Sequence, residues 1–98
     1  MTGQEIIDFL QKNKNILNKF GVKSIALFGS YVKDEANDNS DIDLLVEFKP
    51  GEKTFDNYME LKFYLEDNLN KDVDLVTNDA LKEELKSDIL GSAKYAQT

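Results

Sequence analysis

Leu27-Phe28-Gly29-Ser30-Tyr31, followed nine residues later by Ser40-Asp41-Ile42-Asp43-Leu44-Leu45-Val46-Glu47-Phe48, is the stretch that decides how this chain reads. A short apolar strand runs into Gly-Ser. A polar segment follows, and two aspartates one residue apart open a second strand. Residues two apart in a strand share a face. Asp41 and Asp43 therefore aim together, and Ile42, Leu44, Val46 and Phe48 aim the opposite way. Two neighbouring carboxylates repel unless something positive joins them, and a divalent cation is the simplest candidate.

Working outward, Lys71-Asp72-Val73-Asp74-Leu75-Val76-Thr77 reads as a third strand. Asp72 and Asp74 share its face with Val76, opposite Val73 and Leu75. Beside the Asp41–Asp43 strand it would bring a third carboxylate to the same cluster. Spacing alone lets Asp72 or Asp74 serve, or leaves both as solvated acids at a strand head.

The remaining elements follow from periodicity and capping. Thr2-Gly3-Gln4-Glu5 fits a capping box before a helix with Ile6, Ile7 and Leu10 on one face. The polar stretch Gln11 to Asn15 interrupts it, and a second helical piece with Ile16, Leu17 and Phe20 stops at Gly21. Val22 to Phe28 is a strand, and Gly29 to Ala36 a turn and short helix. Pro50-Gly51 ends the strand from Asp41 to Phe48. Thr54 to Leu69 is a helix whose broad apolar face takes in Phe55, Tyr58, Met59, Leu61, Phe63, Tyr64 and Leu65. Asn78 or Asp79 caps a last helix carrying Leu81, Leu85, Ile89 and Leu90. The expected fold is α/β (α+β): a small mixed three-stranded sheet packed with helices, in the order α-β-α-β-α-β-α. Helices on one side leave the other face of so thin a sheet open. Residues 1–98 are expected to form a single domain.

Composition narrows the chemistry. The 98 residues carry 19 Asp+Glu against 12 basic residues, a formal charge of −7, which disfavours non-specific binding to nucleic acid or a membrane surface. There is no Cys and no His, so thiol nucleophiles, Ser-His-Asp triads and most zinc sites are excluded. Every basic side chain is Lys, which removes the guanidinium fork for phosphate. No apolar run is long enough to cross a bilayer and no signal-peptide pattern opens the chain, so a cytoplasmic location is expected. Catalysis here must run on carboxylates, Lys, hydroxyls, backbone amides or a hard metal.

The residue types fit phosphoryl chemistry. Glycine after a strand permits a tight turn and close approach of phosphate, and the following N–H groups with the Ser30 hydroxyl offer donors to an anion. Lys33, three residues on, is placed to meet a nucleotide phosphate, although a surface lysine is the default reading. A calcium loop starting at Asn37 would use Asn37, Asn39, Asp41 and Asp43. It fails, because Ile42 stands where the turn glycine belongs and Phe48 where the closing Glu belongs. Mg²⁺, which takes one or two carboxylates plus substrate phosphates, is left.

On these residues, together with Thr54 to Lys62 and the tail Ile89 to Ala96, the chain resembles the minimal nucleotidyltransferases of the DNA polymerase beta superfamily. The resemblance spans nearly the whole sequence. It implies the nucleotidyltransferase fold, Gly29 and Ser30 at the nucleotide phosphates, and a pair of Mg²⁺ ions on Asp41, Asp43 and Asp74. It favours Asp74 over Asp72 as the third carboxylate, nearest the attacking hydroxyl. It also implies an antitoxin that transfers AMP from ATP to a tyrosine of a cognate HEPN ribonuclease toxin, with homo- or hetero-oligomerisation and no direct contact with nucleic acid or membrane. The alternatives are an acidic antitoxin acting by binding alone and a small-molecule, aminoglycoside-like nucleotidyltransferase. The family commonly carries Arg and then Gly where this chain has Lys33 and Asp34. Lys keeps the charge and loses the planar fork, and Asp34 adds a negative charge expected to weaken nucleotide affinity.

Overall fold

The computed structural model of the chain describes residues 2–32, 36, 40–80 and 94–95. Helix α1 (Gly3–Lys12) begins at the expected capping box. Thr2 Oγ1 accepts from the Glu5 N–H at 3.2 Å, and Glu5 Oε1 accepts from the Thr2 N–H at 3.1 Å. The break falls at Asn13, which closes α1 and opens α2 (Lys14–Lys19). Gly21, at φ +82°, then turns the chain into β1 (Val22–Phe28). Strand β2 (Ile42–Phe48) follows, then α3 (Phe55–Leu69), β3 (Val73–Thr77) and a two-residue strand β4 (Lys94–Tyr95).

The sheet order is β3-β2-β1-β4. The expected three strands are present, and β4 adds a short edge pairing with β1 at Ala26 and Leu27. A two-residue strand is too brief for alternation to betray it. β1 and β2 are antiparallel, whereas β2 and β3 are parallel because α3 carries the chain back to the same end of the sheet.

Helices α1 and α3 and Leu17 of α2 share one apolar cluster with a single face of the sheet. Ile6 and Leu10 of α1 and Leu61 and Leu65 of α3 are fully buried with Leu27, Ile42, Leu44 and Val46. The alternation expected of β2 therefore holds. The opposite face is not simply open: Ala26 and Leu45, register partners on that side, are buried as well.

Helix α3 departs from its expected broad apolar face. Thr54, expected as the first helical residue, is instead its N-cap, with Oγ1 accepting from the Asn57 N–H at 3.1 Å. The buried stripe is Leu61, Leu65 and Leu69, spaced by four, with Tyr58 and Tyr64 half-buried beside it. Phe55 and Phe63 are 77% and 54% exposed. At about 100° per residue, Phe63 lies roughly 200° around the helix from Leu61, so both cannot face the core. Tyr58 instead fastens α3 to the sheet edge, its hydroxyl donating to the Leu75 carbonyl at 2.5 Å. The expected last helix and the tail from Ile89 fall largely outside the described residues; only the short 3₁₀ turn Asn78–Ala80 and β4 belong to them.

Candidate active site

Strand pairing assembles the site. Antiparallel register sets Phe28 opposite Asp43, so the chain leaves β1 at Gly29 directly beside the head of β2. Gly29 adopts φ +78°, a left-handed conformation that glycine enters without a side-chain clash. A Cβ there would also run into the Asp43 carboxylate, with Cγ at 3.0 Å and the Asp43 Cβ at 3.2 Å. The Gly and the Asp of the motif are thus a single packed contact. Gly29–Tyr31 forms a short 3₁₀ turn with Tyr31 buried and Ser30 half-buried. Helix α1 braces the turn from behind: a Cβ on Gly3 would stand 2.7 Å from the Tyr31 carbonyl oxygen.

Parallel register then sets Asp74 opposite Asp43 on the same face, one strand further along. Asp43 is half-buried, while Asp41 and Asp74 are exposed. Burial raises the Asp43 pKa above the ordinary carboxylate range, and the charges of Asp74 and then Asp41 push it further in the same direction. Asp72 exerts no comparable influence. It precedes the strand, and its backbone carbonyl accepts from the Ile42 N–H at 3.0 Å. Strand register makes Asp74, and not Asp72, the residue paired with Asp43.

Among the described residues, no three acidic side chains are drawn tightly enough together to form a finished metal cage. The donor set nevertheless suits a hard divalent cation: carboxylate oxygens only, with one of them already penalised for its charge by two like neighbours. Lys33 and Asp34 lie outside the described residues.

A cavity of about 430 Å³ opens beside Asp41 and Asp74, walled by Met59, Lys62 and Phe63 of α3. Helical periodicity assigns Met59 and Phe63 to the apolar face and connects neither them nor Lys62 with the carboxylates. The signal that links them is tertiary, since α3 must first lie along β3. A cavity of about 480 Å³ near Phe55, Tyr58 and Val76 contains no carboxylate and lies towards the other end of β3.

A family model described as nucleotidyltransferase domain matches residues 5–96. Protein adenylyltransferase MntA of Thermococcus cleftensis is 38% identical over 96 residues, covering 97% of this chain and 96% of that protein. The solved structure of a minimal nucleotidyltransferase superposes with TM-score 0.82 at 30% identity, over 95% of this chain and 94% of that one. A chain from a crystal structure of a toxin–antitoxin with AMP-PNP superposes with TM-score 0.67 at 29% identity, over 89% of this chain and 72% of that one.

Proposed function

This chain belongs to the nucleotidyltransferase domain family, and from that premise we propose that it is an antitoxin that transfers AMP from ATP to a tyrosine hydroxyl of a cognate HEPN-type ribonuclease toxin. The observation that carries the reading is the row formed by Gly29, Asp43 and Asp74 along neighbouring strands, with Asp43 in contact with Gly29 and in register with Asp74. The similarity to a protein adenylyltransferase and to a toxin–antitoxin chain solved with an ATP analogue supports the choice of donor and partner.

The chain's own groups divide the work. Ser30 and the backbone amides following Gly29 hold the β- and γ-phosphates, with Lys33 as a further cation for them. Asp74 orients the acceptor hydroxyl and takes its proton. The acceptor oxygen bonds to the α-phosphorus as the α–β bridging bond breaks, and pyrophosphate leaves on the Gly29 side. Asp41, Asp43 and Asp74 would hold Mg²⁺, which supplies charge neutralisation at the phosphates.

The test is co-expression with the protein of the adjacent reading frame, followed by intact-mass analysis of that partner. AMP-sized increments that vanish with Asp43→Asn are expected. Neutralisation of the partner without any increment, by wild type and Asp43→Asn alike, would establish inhibition by binding alone.

A further inference from the structure

Gly3 is a glycine that its own backbone does not require. It is the first residue of α1 and, unlike Gly29, it has no positive φ. Alanine is the better helix former, so α1 taken alone would favour it at this position. The obstacle is space. A Cβ on Gly3 would lie 2.7 Å from the Tyr31 carbonyl oxygen, 3.3 Å from Leu27 Cδ2 and 3.5 Å from the Tyr31 carbonyl carbon. The first distance is far inside ordinary contact. Relief to 3.4 Å requires a movement of about 0.7 Å.

The two sides of this contact differ in their capacity to yield. Helix α1 is closed at its start by the reciprocal Thr2–Glu5 hydrogen bonds and anchored by Ile6 and Leu10, both fully buried. Leu27, the second neighbour, is fully buried too. Close-packed interiors pass strain on rather than absorb it. The opposing element is the three-residue turn Gly29–Tyr31, whose Gly29 carbonyl accepts from the Val32 N–H at 3.1 Å. The chain enters that turn through Gly29, the residue type that changes its dihedral angles at least cost. A push on the Tyr31 carbonyl therefore moves the turn, and Ser30, the residue before Tyr31, moves with it.

Resting on the adenylyl-transfer reading, in which Ser30 and the amides after Gly29 hold the β- and γ-phosphates, we propose that Gly3 is a positioning residue for the nucleotide. By lacking a side chain it lets the start of α1 abut the Tyr31 carbonyl, and that contact sets where the phosphate-holding turn stands relative to Asp43. Gly3 itself touches neither nucleotide nor carboxylate; it acts through the backbone of the turn. A misplacement of about 1 Å among groups that orient a reactant costs up to about 100-fold, so a shift of about 0.7 Å at the turn is expected to weaken nucleotide binding about tenfold.

The test sets Gly3→Ala beside Thr2→Ala in the full chain. Thr2→Ala removes the cap of the same helix and adds no atom towards the turn. It should lower the melting temperature by about 5 °C and leave the affinity for Mg²⁺–AMP-PNP within about twofold of wild type by calorimetry. Gly3→Ala should bind Mg²⁺–AMP-PNP about tenfold more weakly while melting no lower than Thr2→Ala. The Ser30 amide resonance of the unliganded protein should shift in Gly3→Ala and stay in place in Thr2→Ala. Equal nucleotide affinity in wild type and Gly3→Ala, equal weakening by both variants, or an unmoved Ser30 amide would overturn the positioning role and leave adenylyl transfer standing. A Gly3→Ala chain that melts well below Thr2→Ala would also overturn it, since the glycine would then serve core packing alone. Failure of the wild type to take up AMP-PNP, both alone and in complex with the protein of the adjacent reading frame, would remove adenylyl transfer and this role with it.

Discussion

The two ends of strands β2 and β3 treat aspartate in opposite ways. At the head of the strands, Asp43 faces Asp74 in register with Asp41 close by, and its pKa is driven up by burial and by those like charges. Beyond the other end, Asp79 meets Lys53 at 2.5 Å, and its pKa is held down chiefly by that hydrogen bond, with a further one from Thr77. The second arrangement is what folding alone would select. The first opposes folding in the absence of a cation, and it stands where Gly29 adopts a left-handed turn against the Asp43 carboxylate. Such conflict between local chemistry and stability is what the proposed site at the head of the strands would require.

The largest effect expected is on transfer. Asp74→Asn removes the proposed proton acceptor while leaving Gly29 and Asp43 in contact, and the rate of AMP transfer to the partner should fall by about 100-fold or more. A loss below tenfold in single-turnover assays would mean that the strand-head pairing is not the reacting centre. Gly29→Ala comes next. The left-handed turn costs a non-glycine residue about 1–3 kcal/mol, and the added Cβ must also displace Asp43. Chemical denaturation should show that loss together with weakened binding of Mg²⁺–ATP. A wild-type melting profile would break the link between the glycine and the acid.

Asp43→Asn should reveal the electrostatic penalty directly. A carboxyl with a raised native pKa contributes stability below its unfolded value of 3.8, and that contribution is lost as pH rises through the higher native value. The asparagine variant without nucleotide is therefore expected to melt above wild type at pH 7, with the gap closing in acid. Saturating Mg²⁺–ATP should reverse the order, since ligand stabilises only the chain that binds it. The smallest effect belongs to the far end. Asp79→Asn removes a favourable pair, so its sign should be opposite: slightly less stable than wild type at pH 7, converging as pH falls below the ordinary carboxylate range. Asp79 is fully exposed, so the shift in melting temperature should be barely measurable. Equal signs for the two asparagine variants would dissolve the contrast.

Much of this was readable from residue order. The Thr2 capping box, a break within Gln11 to Asn15, all three long strands and the paired aspartates follow from patterns contained within a few residues. The alternation of Ile42, Leu44 and Val46 against Asp43 fixed which way the carboxylate faces. Register could not be read that way, because whether Asp72 or Asp74 meets Asp43 depends on where two strands separated by a 15-residue helix come to rest. Helix α3 misled for a related reason. Its apolar residues exceed what one face can bury, and composition does not say that Phe55 and Phe63 are the surplus. The cavity beside Asp74 was invisible for the same cause, being made of residues from separate elements that meet only after folding.

Among the described residues, β3 is held in the sheet by β2 alone, with hydrogen bonds from Tyr58 and to Glu66 tying it to α3. Edge strands fray before a domain melts as a whole. When β3 peels away it takes Asp74 with it, yet the Gly29–Asp43 contact survives in the β1–β2 hairpin. Warming should therefore abolish turnover several degrees before the far-ultraviolet signal collapses, leaving an intermediate that still grips nucleotide but has no means of spending it.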